Sequence, residues 1–408
     1  MQTPVPDYLA EVLDTCAAGD GGAVADYIPE LAAADPDRLA VALATMDGQV
    51  YAAGDAEVRF SIQSVSKPFA YAMALRDRGL DAVLASVGVD PSGDAFNEIS
   101  LEEATGRPRN PMINVGAIVT HSLVGAPSLD GRERDQRVLE GLSAFAGRDL
   151  DVDQTVFTSE METAHRNLAL AHLVRSNGVI TADPQELVRG YVRQCAVLVD
   201  VRDLAVMAAT LAHGGQNPVT GQVVVPGWVA RQVLSVMVTC GMYDAAGDWF
   251  SHVGIPAKSG VAGGLIGALP GQVGIGTFSP RLDDFGNSVR GVRICERLSE
   301  DMGLHLMGTP ATGAHVIRRH EHADGERERT LELQGAIQFA GAEAVLREMS
   351  RFPARTSVLH LDLSRITRID DVGQRMLLEG VRRLGQDGIT VEVDRPDYLD
   401  PGAASPGT

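Results

Sequence analysis

The chain has 408 residues, more than one ordinary domain contains, and we expect two or three domains. A hydrophobic fraction of 45% with 22% charged residues is typical of a globular protein. The formal net charge of −19 argues against nucleic acid or an anionic membrane as a partner, and no apolar run reaches the roughly 18 residues of a membrane span.

The N-terminal segment, MQTPVPDYLAEVLD, lacks the basic flank and the apolar core of a secretory signal. The chain has four cysteines, none in CxxC spacing: Cys16, Cys195, Cys240 and Cys295. This usage is typical of reduced, buried thiols, and we therefore expect a cytoplasmic protein.

Residues 1–302 mix helical and strand patterns. Apolar residues recur with helical spacing over 70–88 and 203–213. Over 252–294, short Val/Ile/Leu-rich runs alternate with Gly and Pro turns and then give way to a helical segment. We predict an α+β domain with an antiparallel sheet, formed late in the chain, and a cluster of helices.

A different pattern follows a predicted linker at 303–312. Strands are predicted over 327–335, 356–363 and 389–393, and helices over 339–352 and 371–388, the latter ending at Gly388. Alternating strands and helices predict a small α/β domain over 313–397. The remaining residues, 398–408, are predicted to be a disordered tail.

Lysine is almost absent from this sequence. Of the 35 basic residues, only Lys67 and Lys258 are lysines, and all the others are arginines. Arginine stays protonated in proteins, whereas a buried lysine amine can lose its proton. We infer that these two lysines serve a purpose that a guanidinium cannot.

The first lysine belongs to an S-x-x-K motif, Ser64-Val65-Ser66-Lys67, followed by Pro68. Proline is tolerated in the first turn of a helix, so the helix is predicted to begin near Ser64. Residues three apart share a helix face, which would bring the Ser64 hydroxyl and the Lys67 amine within hydrogen-bonding reach while Ser66 points elsewhere. A neutral lysine could then activate Ser64 as a nucleophile. The structural alternative is that Ser64 only caps the helix.

The second lysine begins the triplet Lys258-Ser259-Gly260 in a predicted strand. An S-x-x-K helix followed by a K-[ST]-G strand is the pairing found in penicillin-recognising serine hydrolases, in which the strand supplies one oxyanion-binding N–H. Their third motif, S-D-N, is absent from this chain. The alternative is a glycine-rich strand with one exposed lysine.

Seven stretches together resemble the serine-dependent glutaminases, which have a β-lactamase/transpeptidase-like fold. They are DYIPELA (26–32), IQSVSKPF (62–69), NPMINVGAI (110–118), TSEMETAHRN (158–167), GYVRQC (190–195), CGMYDAAG (240–247) and PAKSGVAGG (256–264). The resemblance implies hydrolysis of L-glutamine to L-glutamate and ammonia through a serine acyl-enzyme, with no metal and no cofactor. It also implies a homo-oligomer.

The resemblance implies a role for each matching residue. Ser64 would be the nucleophile, Lys67 its activating base and Tyr243 the proton relay to ammonia. The backbone N–H groups of Ser64 and Val261 would form the oxyanion hole, supported by Lys258, Ser259 and Gly260. The implied substrate contacts are Tyr27, Gln63, Ser64, Asn114, Glu160, Asn167, Tyr191, Tyr243 and Val261.

The charged groups of glutamine independently require binding residues of similar types. Glutamine has an ammonium group that needs a carboxylate, for which Glu160 is the candidate. Its carboxylate needs neutral or cationic donors, which Asn114, Asn167 and Tyr191 could supply. Without the flanking pattern, each of these residues would have an ordinary structural explanation.

The segment HLDLSRITRIDDVGQRMLLEGV (360–381) resembles a STAS domain, the anti-sigma-factor-antagonist module. That family carries a phosphorylated serine in a D-S-x-G motif, whereas this chain has Asp371 at the switch position. The aspartate is either a fixed, partial stand-in for phosphate or an N-cap in a docking or oligomerisation module. The resemblance implies a regulatory protein partner.

Three functions compete at this point. The chain could be a glutaminase, a penicillin-interacting hydrolase or transpeptidase, or a regulatory binding protein in which the STAS module is the working part. The missing S-D-N motif and the missing export signal disfavour the second. The complete set of expected catalytic residues disfavours the third.

Overall fold

The computed structural model describes residues 5–18, 21–92, 99–308, 316–323, 327–337, 339–369 and 371–399. The chain divides into two compact units, residues 1–308 and 309–408. None of the helices within the described ranges has the length and apolarity needed to cross a bilayer. All four cysteines are free and buried.

The N-terminal unit is rich in helices. They are α1 (Val5–Ala17), α2 (Pro29–Ala32), α3 (Lys67–Arg78), α4 (Leu80–Ser86), α5 (Asn114–Ser122), α6 (Gly131–Ala146), α7 (Gln154–Thr163), α8 (His165–Ser176), α9 (Pro184–Cys195), α10 (Val201–Ala212), α11 (Gly227–Cys240), α12 (Ala246–His252) and α13 (Val289–Met302). Two short 3-10 helices, Gln63–Ser66 and Tyr243–Ala245, interrupt this series.

The strands of the N-terminal unit form two antiparallel sheets. They are β1 (Ala40–Thr45), β2 (Val50–Gly54), β3 (Phe60–Ser61), β4 (Asp151–Val152), β5 (Val197–Val199), β6 (Ala257–Ser259), β7 (Gly264–Leu269) and β8 (Val273–Phe278). The larger sheet has the order β2-β1-β8-β7-β6, and the smaller one has the order β3-β5-β4.

Apart from the edge strand β2, the larger sheet is buried on both faces. Along β1, Ala40, Ala42 and Ala44 belong to one hydrophobic cluster, while Val41 and Leu43 belong to another. This alternation follows from the two-residue period of a strand. Helix α10 packs closely on one face because β8 carries glycines there; a Cβ at Gly274 would clash with the α10 backbone.

The antiparallel strands and the closing helix predicted over 252–294 are confirmed as β6, β7, β8 and α13. The helix predicted over 203–213 is confirmed as α10. The predicted helix over 70–88 is instead two helices, because Gly79 between α3 and α4 adopts φ +79°. Helical periodicity in the sequence did not detect this break.

The C-terminal unit contains the five predicted strands and helices and one more strand. Its elements are β9 (Ile317–Ala323), β10 (Glu328–Ile337), α14 (Phe339–Met349), β11 (Val358–Ile369), α15 (Asp371–Gln386), β12 (Thr390–Asp394) and a 3-10 helix, Pro396–Leu399. The sheet order is β12-β11-β10-β9, with β10, β11 and β12 parallel and β9 antiparallel at the edge. Its core is separate from those of the first unit.

The ends of the two units differ from the predicted boundaries. The N-terminal unit continues to Gly308: Leu304 is buried, and Leu306 N–H donates to Gly254 O at 2.9 Å. In the C-terminal unit, Tyr398 and Leu399 are buried, although the sequence analysis placed them in the tail. Residues 309–315 and 400–408 lie outside the described residues.

The predicted switch position, Asp371, is the first residue of α15. Its side chain lies outside the described residues, as does the whole of Asp370. The two interpretations of this residue therefore both stay open.

Candidate active site

The motif of the first lysine lies at the junction of two helices. Gln63–Ser66 forms a 3-10 helix that runs directly into α3, with Pro68 in the first turn of α3. The sequence analysis expected an α-helix to begin near Ser64, and the structure has a tighter turn there. With three residues per turn, a 3-10 helix aligns Ser64 with Lys67 on one face.

Two residues next to Ser64 in the structure have an uncommon backbone conformation. Three non-glycine residues among the described ones have positive φ: Gln63 at +50°, Tyr243 at +54°, and Arg395 in the other unit. Such conformations persist only where the surroundings hold them, and they concentrate at functional sites. Two of the three adjoin the predicted nucleophile.

The Lys67 side chain is fully buried. Its Nζ donates to Met112 O at 3.0 Å and to Asn114 Oδ1 at 2.8 Å. Burial lowers the pKa of Lys67 to about 8, so an appreciable fraction of the amine is neutral near pH 7. The hydrogen bond expected between this amine and Ser64 Oγ is not among the two that Nζ forms within the described residues.

The Ser64 hydroxyl is instead hydrogen-bonded with Tyr243. Burial raises the pKa of Tyr243 above its usual range, and the side-chain hydrogen bond with Ser64 partly opposes that rise. The Tyr243 hydroxyl also donates to Ser259 O at 3.2 Å. The phenol therefore connects the nucleophile with strand β6.

Lys258 lies behind Tyr243 on strand β6. Its Nζ is 3.8 Å from the centroid of the Tyr243 ring and donates to Ser259 O at 2.6 Å. Burial, followed by repulsion from Lys67, holds the pKa of Lys258 well below its usual range. Lys258 and Ser259 are both fully buried, so the alternative of an exposed lysine is wrong.

Gly260 lets the end of strand β6 approach the 3-10 helix. A Cβ at this position would lie 3.0 Å from Val65 Cγ2 and 3.2 Å from Ile62 O, tighter than ordinary contact. The next residue, Val261, consequently reaches the same cavity as Ser64.

All but one of the nine predicted substrate contacts surround a cavity of about 360 Å³, which is within the range of small-molecule sites. Eight predicted residues line it: Tyr27, Gln63, Ser64, Asn114, Glu160, Asn167, Tyr191 and Val261. Tyr243 lines a neighbouring cavity of about 540 Å³. Lys67, Lys258, Ser259 and Gly260 do not line the first cavity.

One side of the cavity is acidic. Glu160 is 9% exposed, and its Oε1 accepts from Tyr27 OH at 2.9 Å and from Gln63 Nε2 at 3.1 Å. Burial raises the pKa of this carboxyl, and the two donors oppose the shift. Because both donors use Oε1, Oε2 keeps its capacity to accept from a ligand ammonium.

Another part of the cavity wall is made of neutral polar groups. Asn114 Nδ2 donates to Asn167 Oδ1 at 3.3 Å, and Tyr191 OH donates to Asn114 Oδ1, also at 3.3 Å. Asn114 Oδ1 is the same atom that accepts from Lys67. The amide of Asn114 thus links the buried amine to the cavity wall.

The sequence analysis missed five residues of the wall: Thr163, Ala164, Arg166, Val192 and Cys195. Arg166 is the only charged residue among them and directly precedes Asn167 within a stretch that the resemblance already used. Cys195 is buried, and burial raises the pKa of its thiol to about 12, so it is a neutral thiol near pH 7.

Comparisons with known proteins identify the family of each unit. The glutaminase family model matches residues 22–307, and a model described as "Mlab, STAS domain" matches residues 322–400. A glutaminase of Corynebacterium efficiens is 48% identical over 398 residues, which cover 98% of this chain and 94% of the relative.

Solved structures are similar over almost the whole chain. A crystal structure of Mglu in its native form has a TM-score of 0.87 and 52% sequence identity, covering 97% of this chain and 99% of the other. The crystal structure of Mglu in its glutamate form has a TM-score of 0.87 and 50% sequence identity, and the match covers 98% of this chain and 99% of the other. The chain therefore belongs to the glutaminase family of hydrolases, with a β-lactamase-like, serine-dependent glutaminase fold followed by a STAS domain.

Proposed function

We propose that the N-terminal unit hydrolyses L-glutamine to L-glutamate and ammonia through an acyl-enzyme on Ser64. The observation that carries this proposal is the buried Lys67, whose pKa of about 8 lets it act as a base one helical turn from a serine in a cavity. The names of the relatives support the reaction. A related structure described as a glutamate form supports the product.

Substrate binding uses the two chemically different parts of the cavity wall. The ammonium group of glutamine binds Glu160, whose carboxylate is already oriented by Tyr27 and Gln63. The α-carboxylate binds donors drawn from Asn114, Asn167 and Tyr191, which carry no negative charge. This arrangement points the side-chain carboxamide toward Ser64.

Acylation begins when Ser64 Oγ attacks the carboxamide carbon. Lys67, in its neutral form, accepts the hydroxyl proton, and the backbone N–H groups of Ser64 and Val261 stabilise the oxyanion. Tyr243, already hydrogen-bonded to Ser64, gives its phenol proton to the departing nitrogen, which leaves as ammonia, and takes up the proton held by Lys67, so that Lys67 is neutral again. The product of this step is a γ-glutamyl ester of Ser64.

Deacylation repeats these steps with water as the nucleophile. Water attacks the ester carbon and gives up a proton to the base, and the Ser64 oxygen regains a proton as glutamate leaves. The proton balance closes within the set Ser64, Lys67 and Tyr243.

The test compares wild type with Ser64→Ala, assayed for ammonia release from glutamine and asparagine and for the colour change of a chromogenic β-lactam. We expect kcat for glutamine to fall at least ~10³-fold, because the covalent intermediate cannot form. Ser235→Ala is the matched control, since its exposed hydroxyl donates to a carbonyl of its own helix, Arg231 O, at 2.8 Å. Normal turnover by Ser64→Ala would refute the nucleophile, and faster β-lactam than glutamine turnover would favour the penicillin-interacting alternative.

For the C-terminal unit we propose a docking or assembly role. It has a core of its own, and its helix α15 begins at the predicted switch position, Asp371. We expect deletion of residues 313–408 to preserve glutamine hydrolysis and to remove a partner or an oligomer contact. Light scattering and a pull-down measure this; an unchanged mass with no partner lost would show that the unit is a passive appendage.

A further inference from the structure

A chain of buried polar side chains lies behind the 3-10 helix that carries Ser64. Ser66 Oγ donates to Gln63 O at 2.7 Å, and Gln194 Nε2 donates to Ser66 Oγ at 2.9 Å. Gln194 Oε1 in turn faces His121 Nδ1 at 3.0 Å. Ser66, Gln194 and His121 are each at most 2% exposed.

The polar chain continues to an ion pair at its outer end. His121 Nε2 lies 3.6 Å from Asp135 Oδ1, and Asp135 Oδ2 pairs with Arg189 at 2.8 Å. Gly190 permits this packing, because a Cβ there would clash with both Asp135 and His121. The glutaminase mechanism proposed above uses none of these side chains.

The direction of each hydrogen bond follows from the groups involved. A serine hydroxyl has one proton, and that of Ser66 goes to Gln63 O, so Ser66 must accept from Gln194 Nε2. Gln194 Oε1 is then the acceptor that faces His121. Since these groups are buried, losing one partner would leave another unpaired.

The hydrogen bond from Ser66 to Gln63 O connects these polar side chains to the backbone of the predicted nucleophile. Gln63 O and the Ser64 N–H belong to one planar trans peptide, in which the C=O and the N–H point in opposite directions. Anchoring Gln63 O on Ser66 therefore fixes the direction of the Ser64 N–H. Gln63 has φ +50°, a conformation that a non-glycine residue keeps only when held.

We propose that Ser66 and Gln194 are positioning residues that anchor the Gln63 carbonyl and thereby aim the Ser64 N–H at the substrate oxygen that becomes the oxyanion. This inference rests on the proposed acyl-enzyme reaction. It explains why a second, fully buried serine accompanies the nucleophile.

The test compares Ser66→Ala with Ser299→Ala in the full-length protein. Ser299 is the matched control because its buried hydroxyl also donates to a backbone carbonyl, Val253 O, at 2.7 Å. We expect Ser66→Ala to lower kcat for glutamine at least ~10-fold with KM changed less than ~3-fold, since a misaimed oxyanion donor acts on the transition state. Ser299→Ala should keep both constants while losing similar thermal stability.

Two further measurements separate positioning from structure. Inhibition by glutamate should weaken less than kcat falls in Ser66→Ala, because the contacts with the α-ammonium and α-carboxylate groups of glutamate are kept. Gln194→Glu keeps the shape of the side chain but loses the Nε2–H donor, so it should also lower kcat. If Ser66→Ala does not fold, Gln194→Glu serves as the test in its place.

The outcomes distinguish this inference from the proposed function. If Ser64→Ala abolishes turnover but Ser66→Ala and Gln194→Glu retain the kcat of Ser299→Ala, the positioning role is refuted and the nucleophile stands. A rise in KM without loss of kcat would likewise refute it, since the polar chain would then shape binding only. If Ser64→Ala itself turns over normally, the proposed function fails.

Discussion

The ionisation of Lys67 should control how the reaction depends on pH. Burial lowers the pKa of this amine to about 8. At pH 7 about one amine in eleven is then neutral, and at pH 9 about ten in eleven are, from the usual acid–base equilibrium. If the neutral amine is the base, kcat/KM should rise about tenfold between these pH values and level off above them, provided that the glutamine concentration is counted as the ammonium form, which Glu160 binds.

The matching perturbation is Lys67→Arg, which keeps a positive charge and removes the base. A guanidinium does not deprotonate in this range, so we expect kcat/KM to fall ~10²-fold or more and its rise with pH to disappear. Initial rates of ammonia release, measured from pH 6.5 to 9.5 at constant ionic strength, report both effects. Arg59→Lys, an exposed substitution, is the control.

Two results would refute this reasoning. One is a wild-type profile that is flat between pH 7 and 9, and the other is ordinary turnover by Lys67→Arg with the same pH dependence. Either would mean that the amine does not act by accepting a proton.

The same pKa shift has a consequence for stability. The folded protein lowers the pKa from 10.5 to about 8 and so binds fewer protons than the unfolded chain, which corresponds to a cost of about 3 kcal/mol. This cost is present in full below pH 8, fades as pH rises toward 10.5 and is absent above. The stability of wild type relative to Lys67→Met should improve over that interval. Denaturant melts at several pH values would show no such change if folding left the pKa of the amine at its unfolded value.

Two further substitutions test the remaining roles in the site. Tyr243→Phe should lower kcat ~10²- to 10⁴-fold with little change in KM, because the relay of a proton to ammonia is lost; steady-state kinetics beside the surface control Tyr8→Phe measure this, and an unchanged kcat would remove the phenol from the mechanism. Glu160→Gln should raise KM for glutamine ~10- to 100-fold, since a charge-assisted contact with the ammonium group is lost; the exposed Glu57→Gln is the control, and a KM within twofold of wild type would contradict the assignment.

The fold was predictable where the sequence pattern has a local cause. The strands of residues 257–278 follow from short apolar runs between glycine turns, and α15 follows from its apolar spacing and the terminal Gly388, which has φ +85°. The edge strand β9 was missed because its sequence, IRRHEHA, has no alternating apolar residues. Polar edge strands of this kind are formed by pairing with a neighbour, here β10, rather than by burying a face.

The site was predictable to the extent that its residues lie in recognisable motifs. Eight predicted contacts line one cavity, although they come from segments between Tyr27 and Val261. The polar chain behind them was not predictable, since it depends on pairs far apart in sequence, such as Ser66 with Gln194 and His121 with Asp135. The hydrogen bond of Ser64 with Tyr243 likewise depends on how strand β6 packs against the 3-10 helix.

The structure gives a physical reason why lysine, and not arginine, occurs at positions 67 and 258. Lys67 and Lys258 are both fully buried, and the charge of Lys67 is one of the causes that lower the pKa of Lys258. Two permanent charges in this buried region would repel each other and would each carry a desolvation cost. An amine can relieve both penalties by losing its proton, as the lowered pKa values of both lysines allow, whereas a guanidinium cannot. All the remaining Lys/Arg positions of the chain are arginines. Positions 67 and 258 still require lysine for this reason, independently of the role of each lysine in the reaction.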